Sequence, residues 1–344
     1  MMLDENFKKA VLWEAGENNK VSCQLCSRRC QIDEGKAGFC FVRKNIGGVL
    51  YSLTYDKLCS ANPDPIEKKP LFHFQPGTRS FSVATMGCNF RCEFCQNWQI
   101  SQAAIEDGRI EGQSISPEQI VEAAVGSGCK SIAYTYTEPT VFMELCNDCG
   151  RLGKERGLAN VFVSNGYETL EAIDFAKEWL DGINVDLKSF SDDYYKRLCK
   201  ARLQPVLDTI SYIANETDIW LEITTLLIPG ENDSEDELKE LADFIVSRAG
   251  ADVPWHISRF IPQYKYLDSQ PTPVRSLEKA YDIGREAGLH YVYLGNVPGS
   301  KAENTFCYNC GKLLIERVGY RIGENNISDC CCPYCWVKVA GFGL

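Results

Sequence analysis

The segment Phe81-Ser-Val-Ala-Thr-Met-Gly-Cys88-Asn-Phe-Arg-Cys92-Glu-Phe-Cys95 joins a short apolar run to three closely spaced cysteines. The apolar run at residues 81–85 predicts a buried β-strand. The cysteines have the spacing CxxxCxxC, which allows three thiols to surround one centre, and thiolates are the usual ligands of iron–sulfur clusters. Three ligands on a cluster of four irons keep one iron open, as a reactive metal site requires. A structural zinc site with a missing ligand is the alternative.

Short apolar runs and amphipathic segments alternate after this first strand. The predicted strands are residues 81–85, 131–135, 160–164, 182–186, 219–227, 255–260 and 290–294, and predicted helices include residues 117–127, 168–180 and 234–249. This alternation indicates βαβ units around a parallel sheet. We therefore predict an α/β fold, a full or partial (βα) barrel in which the loops after the strands carry function. An open doubly wound sheet is the competing architecture.

The remaining residues differ in character from the barrel. Residues 1–78 form a cysteine-rich N-terminal extension with several prolines that break regular structure, residues 79–300 form the barrel, and residues 301–344 form a cysteine-bearing tail. We expect both extensions to be stiffened by metal.

Composition excludes several classes of protein. The net charge of −11 over 344 residues disfavours non-specific binding to nucleic acid. No apolar run reaches the roughly 18 residues of a membrane-spanning helix, and residues 1–10 lack the apolar run of a signal peptide. We expect a cytoplasmic protein. In that reducing compartment the 18 cysteines, where clustered, are expected to be metal ligands rather than disulfides.

Two cysteine groups flank the predicted barrel. The N-terminal group consists of Cys23, Cys26, Cys30 and Cys40. Its four thiols can close a zinc tetrahedron or a second iron–sulfur cluster, and we favour a structural metal over an electron relay. The C-terminal group consists of Cys307, Cys310, Cys332 and Cys335. Its paired spacing is typical of a zinc ribbon or a rubredoxin-like site, with Cys330 and Cys331 as alternatives to Cys332.

The cysteine triplet, with Phe94 immediately before Cys95, resembles the signature of the radical S-adenosylmethionine (SAM) superfamily. The resemblance implies a [4Fe-4S] cluster held by Cys88, Cys92 and Cys95, with SAM bound to the fourth iron. It further implies reductive cleavage of SAM to methionine and a 5′-deoxyadenosyl radical, and it places Phe94 near the adenine.

Polar fragments at the ends of the later strands extend this resemblance. It implies that Glu138 contacts the amino group of SAM and that Ser164 and Asn165 belong to a segment similar to the Thr-Asn-Gly of pyruvate formate-lyase activating enzymes. It also places Asp186 and Lys188 at the ribose and carboxylate of SAM. These two residues are two positions apart on a strand and therefore point to the same side, with a salt bridge between them as the alternative.

Three positions qualify this picture. His256 is expected to face the pocket as a further cofactor contact, although a structural role is the alternative. Val163 and Tyr264 replace an acid and a histidine of the activating enzymes. These departures weaken the case for a glycyl-radical enzyme as substrate.

The flanks resemble, more narrowly, the radical SAM proteins of the AmmeMemoRadiSam system. The resemblance rests on the cysteine and glycine pattern of residues 23–43, on Asp64-Pro-Ile-Glu-Lys-Lys-Pro-Leu-Phe-His-Phe74 and on Gly295-Asn296. It implies AMMECR-type and Memo-type partner proteins, an unidentified substrate, and a reductant such as flavodoxin or ferredoxin. The alternative functions are a glycyl-radical enzyme activase and a non-catalytic metal-binding or electron-transfer scaffold.

Overall fold

The computed structural model describes residues 7–344. Residues 1–6, part of the N-terminal segment that is predicted to lack a signal peptide, lie outside the described residues. The chain divides into two compact units, Met1–Pro63 with Ser80–Asp181 and Asp64–Arg79 with Gly182–Leu344. The three-part division at residues 78 and 300 stays a prediction. Within the described chain, no helix has the length and apolar character needed to cross a membrane.

The first unit is built around parallel strands. Its strands are β1 (Lys8–Lys9), β2 (Trp13–Ala15), β3 (Val21–Cys23), β4 (Gln31–Ile32), β5 (Arg43–Ile46), β6 (Val49–Ser52), β7 (Lys57–Pro65), β8 (Arg79–Thr85), β9 (Gln113–Ser114), β10 (Ser131–Tyr134) and β11 (Ala159–Ser164). β8, β10 and β11 are parallel neighbours, and β7 and β9 continue this sheet beyond β8. Because parallel strands end at one edge, the loops after β8, β10 and β11 gather there.

The helices of this unit follow their strands. They are α1 (Trp98–Ser101), α2 (Ala103–Glu106), α3 (Pro117–Gly126), α4 (Met143–Glu155) and α5 (Leu170–Ala176). Ser116 caps α3 in a reciprocal arrangement with Gln119, as its position before Pro117 predicts. Tyr134, Phe162 and Trp179 pack edge to face beneath the helices.

The N-terminal residues are more regular than their prolines suggested. β1, β6 and β5 form one antiparallel sheet and β2, β3 and β4 form another. Pro63 and Pro65 lie at the end of β7 rather than interrupting it. A proline is compatible with a strand wherever its missing N–H is not needed by the ladder.

The second unit contains a second parallel series and an antiparallel tail. The parallel strands are β12 (Gly182–Asp186), β13 (Trp220–Leu227), β14 (Trp255–Arg259) and β15 (Val292–Gly295), and the tail strands are β16 (Thr305–Phe306), β17 (Leu313–Val318) and β18 (Arg321–Asn325). The helices are α6 (Asp192–Tyr194), α7 (Gln204–Glu216), α8 (Glu235–Phe244) and α9 (Val274–Glu286). The predicted α/β fold class, with alternating parallel strands and helices, is confirmed.

Residues 64–79 pack against the strands of the second unit. Asn184 of β12 donates a hydrogen bond to the carbonyl of Pro70 at 2.7 Å. The carboxylate of Glu222 on β13 accepts from the backbone N–H groups of Phe72 and His73 at 3.0 and 2.8 Å. The buried Glu222 is thus satisfied by backbone donors, as a charge in a protein interior requires.

Candidate functional site

The three cysteines of the CxxxCxxC segment follow directly on β8. Cys88 and Cys92 are buried and Cys95 is partly exposed. The Cys88 Sγ accepts hydrogen bonds from the backbone N–H of Phe90 at 3.3 Å and from Asn165 Nδ2 at 3.4 Å. The Cys95 Sγ lies 3.2 Å from the hydroxyl of Ser101. N–H donors aimed at cysteine sulfur are a feature of iron–sulfur sites, where they adjust the reduction potential.

The electrostatics of Cys88 favour a bound cation. Burial raises the pKa of its thiol well above the usual range, and the charges of Glu138, Cys92 and Cys95 raise it further. A cationic centre relieves both costs because it binds the thiolate form. The donor set of three neighbouring thiols with N–H support therefore fits an iron–sulfur cluster.

The end of β11 supplies the Asn165 that contacts Cys88. Glu138, in the loop after β10, is buried and accepts from the backbone N–H of Asn165 at 2.8 Å. Its other oxygen lies 2.9 Å from Ser164 Oγ and 2.5 Å from Thr140 Oγ1. The predicted site residues Glu138, Ser164 and Asn165 are thus brought together, and the carboxylate holds the turn that presents Asn165 to Cys88.

A second buried acid, Glu168, completes this network. It lies 2.6 Å from Ser164 Oγ and 3.1 Å from Thr140 Oγ1. Burial and the neighbouring charge of Glu168 raise the pKa of Glu138 to about 7. The two carboxyls are therefore expected to hold a proton between them. Sequence reasoning missed Glu168 and Thr140, because nothing in their spacing indicates that they meet Glu138.

Gly87, immediately before Cys88, lies in a conformation that suits glycine. Its φ is +105°, and a Cβ there would lie 2.6 Å from Val42 Cγ1 and 3.3 Å from the carbonyl oxygen of Cys40. The absent side chain lets the Cys40–Val42 backbone approach the cysteine loop. This close approach puts the N-terminal cysteine segment against the loop that carries Cys88.

Asp186 and Lys188 lie at the end of β12 in the second unit. Lys188 Nζ is 2.8 Å from Asp186 Oδ2. This salt bridge is the alternative named above, and contact of the two residues with SAM stays a prediction. The backbone here is fixed by Asn232, whose Nδ2 donates to the carbonyls of Lys188 at 2.6 Å and Leu226 at 2.9 Å. Sequence reasoning did not single out Asn232, although the Pro-Gly pair that precedes it is a signal typical of a turn.

His256 and Phe94 are both buried. His256 Nε2 lies 2.6 Å from Glu222 Oε2, and its ring packs against Phe72 and Tyr293. These contacts give His256 a structural partner, and its contact with SAM stays a prediction. Phe94 lies between Cys92 and Cys95 in the cysteine loop of the first unit.

The C-terminal cysteines form a compact set. The four Sγ atoms of Cys307, Cys310, Cys332 and Cys335 all lie within 4.8 Å of one another. The separation is 3.6 Å for Cys307 and Cys335 and 3.7 Å for Cys310 and Cys332. A tetrahedron with Zn–S bonds of about 2.3 Å has sulfur atoms about 3.8 Å apart, whereas a disulfide bond is about 2 Å long. The set fits a single metal ion, with Cys332 rather than Cys330 or Cys331 as the fourth thiol.

The N-terminal cysteines also meet in one place. One cavity is lined by all four thiol residues, Cys23, Cys26, Cys30 and Cys40. Asn89, the residue after Cys88, lines the same cavity. The sequence predicted the grouping of the four cysteines but gave no indication of this neighbour.

Comparisons with known proteins identify the superfamily that the chain resembles. A family model described as the Radical SAM superfamily matches residues 82–245. An uncharacterized protein of Methanocaldococcus jannaschii is 45% identical over 337 residues, which cover 96% of this chain and 98% of that protein. A pyruvate formate-lyase-activating enzyme of Listeria monocytogenes is 26% identical over 220 residues, covering 61% of this chain and 81% of the enzyme.

A solved structure shares the fold. The crystal structure of a radical SAM methyltransferase from Sphaerobacter thermophilus aligns with a TM-score of 0.51 and 18% identity, covering 70% of this chain and 71% of that one. At this identity the likeness bears on the fold alone.

Proposed function

Because the chain belongs to the radical SAM superfamily, we propose that Cys88, Cys92 and Cys95 hold a [4Fe-4S] cluster whose fourth iron binds SAM. When bound, such a cluster supplies the electron that cleaves SAM to methionine and a 5′-deoxyadenosyl radical, which takes a hydrogen atom from an unidentified substrate. The observation that carries the proposal is the buried Cys88 thiol at the end of β8, which accepts hydrogen bonds from Phe90 and Asn165.

The surrounding residues position the cysteine loop and the cofactor. We assign Glu138 and Glu168 to holding the Ser164-Asn165-Gly166 turn, because Glu138 accepts from the backbone N–H of Asn165 and Ser164 Oγ lies within hydrogen-bond distance of both carboxyl groups. Through this turn Asn165 is held as a donor to Cys88. Glu138 thus acts on the cluster side of the site, and a contact from it to the amino group of SAM is an additional part of the proposal.

The remaining SAM contacts are proposed from chemistry. Lys188 is a cation for the SAM carboxylate, and Asp186 is an acceptor for the ribose hydroxyls. Their mutual ion pair holds the Lys188 ammonium at the end of β12. Phe94 offers an apolar surface for adenine, and Ser164 offers a hydroxyl at the end of β11.

The physiological setting is part of the same proposal. We propose a cytoplasmic enzyme that receives electrons from flavodoxin or ferredoxin. AMMECR-type and Memo-type proteins are proposed partners, on the sequence resemblance of residues 23–43 and 64–74. The flanking cysteine groups are proposed to hold zinc or iron, and no membrane or nucleic-acid partner is proposed.

A glycyl-radical enzyme activase is the second candidate. Its support is the similarity to the pyruvate formate-lyase-activating enzyme of Listeria monocytogenes. It predicts that incubation with SAM and reductant produces a glycine radical signal on a partner protein. Val163 and Tyr264, which depart from the activating enzymes, are the reason why we rank it second.

The proposed function is tested by assaying 5′-deoxyadenosine after anaerobic reconstitution with iron and sulfide, reduction by dithionite and addition of SAM. We expect the unmodified chain to form 5′-deoxyadenosine and Cys92→Ala to reduce it to background, because the cluster loses one of three ligands. Cys129→Ala is the matched control, since Cys129 is also buried but lies outside every cysteine group. A non-catalytic scaffold would instead form no 5′-deoxyadenosine in any of the three proteins, which would contradict the proposal.

A further inference from the structure

The cavity of the N-terminal cysteines is lined by charged and polar side chains as well as thiols. Arg28, Arg43 and Asn89 line it together with the four cysteines. Of the four thiols, those of Cys23 and Cys40 are buried and those of Cys26 and Cys30 are partly exposed. Four thiolates around one cavity repel one another, and a bound cation offsets that repulsion.

Three buried N–H donors on these lining residues lack an acceptor. Among the residues that the structure describes, Arg28 Nη2, Arg43 Nε and Asn89 Nδ2 have no hydrogen-bond partner. Buried donors without partners are rare, and such a group calls for an unseen ion, water or ligand. A single zinc ion adds no acceptor to the four thiolates. An iron–sulfur cluster adds inorganic sulfides, which accept N–H hydrogen bonds.

The charges around the cavity also suit an anionic cluster. Arg43 is 2% exposed and pairs with the carboxylate of Glu144, with Nη1 2.7 Å from Oε1. The Arg28 guanidinium stacks on Phe39 with 3.8 Å between its central carbon and the ring centroid. Glu144 already balances the charge of Arg43, so Arg28 is the cation that would offset the net negative charge of an iron–sulfur cluster held by four thiolates.

Several contacts join this cavity to the loop that carries Cys88. The Arg28 Nε donates to the carbonyl of Asn89 at 3.0 Å, and Asn89 Oδ1 accepts from Asn165 Nδ2 at 3.2 Å. The same Asn165 donates to Cys88 Sγ. Gly87 lies close to the carbonyl oxygen of Cys40, which would be 3.3 Å from a Cβ at residue 87. The two cysteine groups are therefore connected through Arg28, Asn89 and Asn165.

Arg91 lies between the two groups. Its Nη2 donates to the carbonyl of Phe39 beside Cys40, and its Nη1 donates to the carbonyl of Cys88 at 3.0 Å. One guanidinium thus binds the backbone of both cysteine segments. A structural metal needs no such proximity, whereas transfer of an electron between two centres becomes slow as their separation grows.

From these contacts we infer that Cys23, Cys26, Cys30 and Cys40 hold a second iron–sulfur cluster, which passes electrons to the centre at Cys88, Cys92 and Cys95. All four of its irons are bound by cysteine, so it binds no SAM. The step moves one electron from a reduced low-potential carrier, such as flavodoxin or ferredoxin, through this cluster, and no bond is formed or broken. The relay role rests on the proposed function, whereas the identity of the second cluster does not.

The first test is a metal and spectroscopic analysis of the anaerobically purified full chain. We expect about eight irons and about eight sulfides from two four-iron clusters. Electron paramagnetic resonance of the dithionite-reduced protein should show two signals, of which SAM changes only one. About four irons together with two zinc ions would overturn the inference, because both flanking sites would then hold zinc.

The second test uses the double variant Cys26→Ala, Cys30→Ala. It should lose the SAM-insensitive signal and about four irons, while the SAM-sensitive signal remains. Its formation of 5′-deoxyadenosine should fall with flavodoxin as the electron donor and persist with dithionite, which reduces the centre at Cys88, Cys92 and Cys95 directly. Cys59→Ser is the matched control, since Cys59 is a partly buried thiol of the same unit outside the groups.

Each result decides between the two claims. An unchanged iron count in the double variant contradicts the second cluster, and equal losses with both donors contradict the relay. Two signals without 5′-deoxyadenosine in the unmodified chain would contradict the proposed function and leave the cluster assignment standing. If the double variant does not fold, as judged by circular dichroism, the metal count of the unmodified chain decides.

Discussion

Gly87 joins β8 to the cysteine loop at a point where a side chain has no room. Its φ of +105° lies in the region that favours glycine, and a Cβ would fall 2.6 Å from Val42 Cγ1. A residue with a side chain at position 87 would therefore have both a strained backbone and a crowded Cβ. The neighbouring Cys40 carbonyl makes the same position sensitive to movement of the N-terminal cysteine segment.

Replacement of Gly87 by alanine should lower the free energy of unfolding by about 2–4 kcal/mol, as the sum of a strained φ and an overpacked contact. Chemical denaturation followed by tryptophan fluorescence measures the loss. Gly108→Ala is the matched control, because Gly108 has a φ of +70° and no atom lies within 4 Å of the place that its Cβ would take. That variant should lose only about 1 kcal/mol. Equal losses in both variants would show that crowding against Val42 contributes nothing.

At the scale of elements, α5 is tied to the N-terminal cysteine segment by its cap. Thr169 Oγ1 accepts from the backbone N–H of Ala172 at 3.2 Å, the usual N-cap bond. The same hydroxyl donates to the carbonyl of Gln24 at 2.7 Å. One side chain thus begins a helix and fixes the chain between Cys23 and Cys26.

Thr169→Ala should lower the free energy of unfolding by about 2 kcal/mol, since a cap and a second hydrogen bond are both lost. Thr169→Ser should keep most of the stability because it keeps the hydroxyl. Ser234→Ala removes only the side-chain cap of α8 and should cost about 1 kcal/mol. Urea denaturation of the three variants provides the comparison, and a Thr169→Ala loss no larger than that of Ser234→Ala would contradict a role for the Gln24 contact.

The elements also show what the sequence could predict. The periodic segments were located well, and residues 182–186 form β12 with the predicted bounds. The helix predicted at residues 168–180 is shorter, Leu170–Ala176, because Thr169 caps its start and the chain turns after Lys177. The strands of residues 8–52 have two to four residues each, too few for a hydrophobic period to appear.

The candidate site also contains residues that the sequence could predict and residues that it could not. Cys88 and the polar residues at the strand ends could be predicted because chain position and residue type carry the signal. Glu168, Asn89 and Asn232 could not, because their roles arise from hydrogen bonds between distant segments. No pattern in one sequence records which buried donor will meet which acceptor.

At the scale of the whole molecule, residues 64–79 are part of a buried polar network of the second unit. His73 is fully buried, with Nδ1 2.6 Å from the Ala340 carbonyl and Nε2 2.6 Å from the Tyr293 hydroxyl. A neutral imidazole satisfies both contacts, donating to the carbonyl and accepting from the hydroxyl. Burial lowers the pKa of His73 to about 4.

The stability of the chain should therefore fall in mild acid. The unfolded chain binds a proton at His73 below a pKa of about 6.5, whereas the folded chain does so only near 4, so stability is lost as pH falls through this range. Between pH 7 and pH 5 the contribution of His73 is about 2 kcal/mol. Thiolate sites also lose metal in acid. The loss of unfolding free energy between pH 7 and pH 5 is therefore compared between two proteins.

The comparison is with His73→Asn, which removes the titrating group. Denaturation at the two pH values should show that the unmodified chain loses about 2 kcal/mol more than the variant, even though the variant is less stable at pH 7. His290→Asn, at a partly exposed histidine, is the matched control. Equal pH dependence in the unmodified chain and His73→Asn would contradict the assignment.

The discontinuous makeup of the units has a consequence for synthesis. Residues 64–79 are synthesised between the two pieces of the first unit. The backbone N–H of His73 donates to Glu222, 149 positions later, and the carbonyl of Phe72 accepts from Arg317, 245 positions later. Until residues 222 and 317 have been synthesised, the apolar and charged side chains of residues 64–79 lack these partners. Segments in this exposed state are bound by chaperones. We therefore expect the nascent chain to aggregate when elongation is slow, or when the chain is released before residue 317 has been added. This aggregation should occur even when iron is abundant.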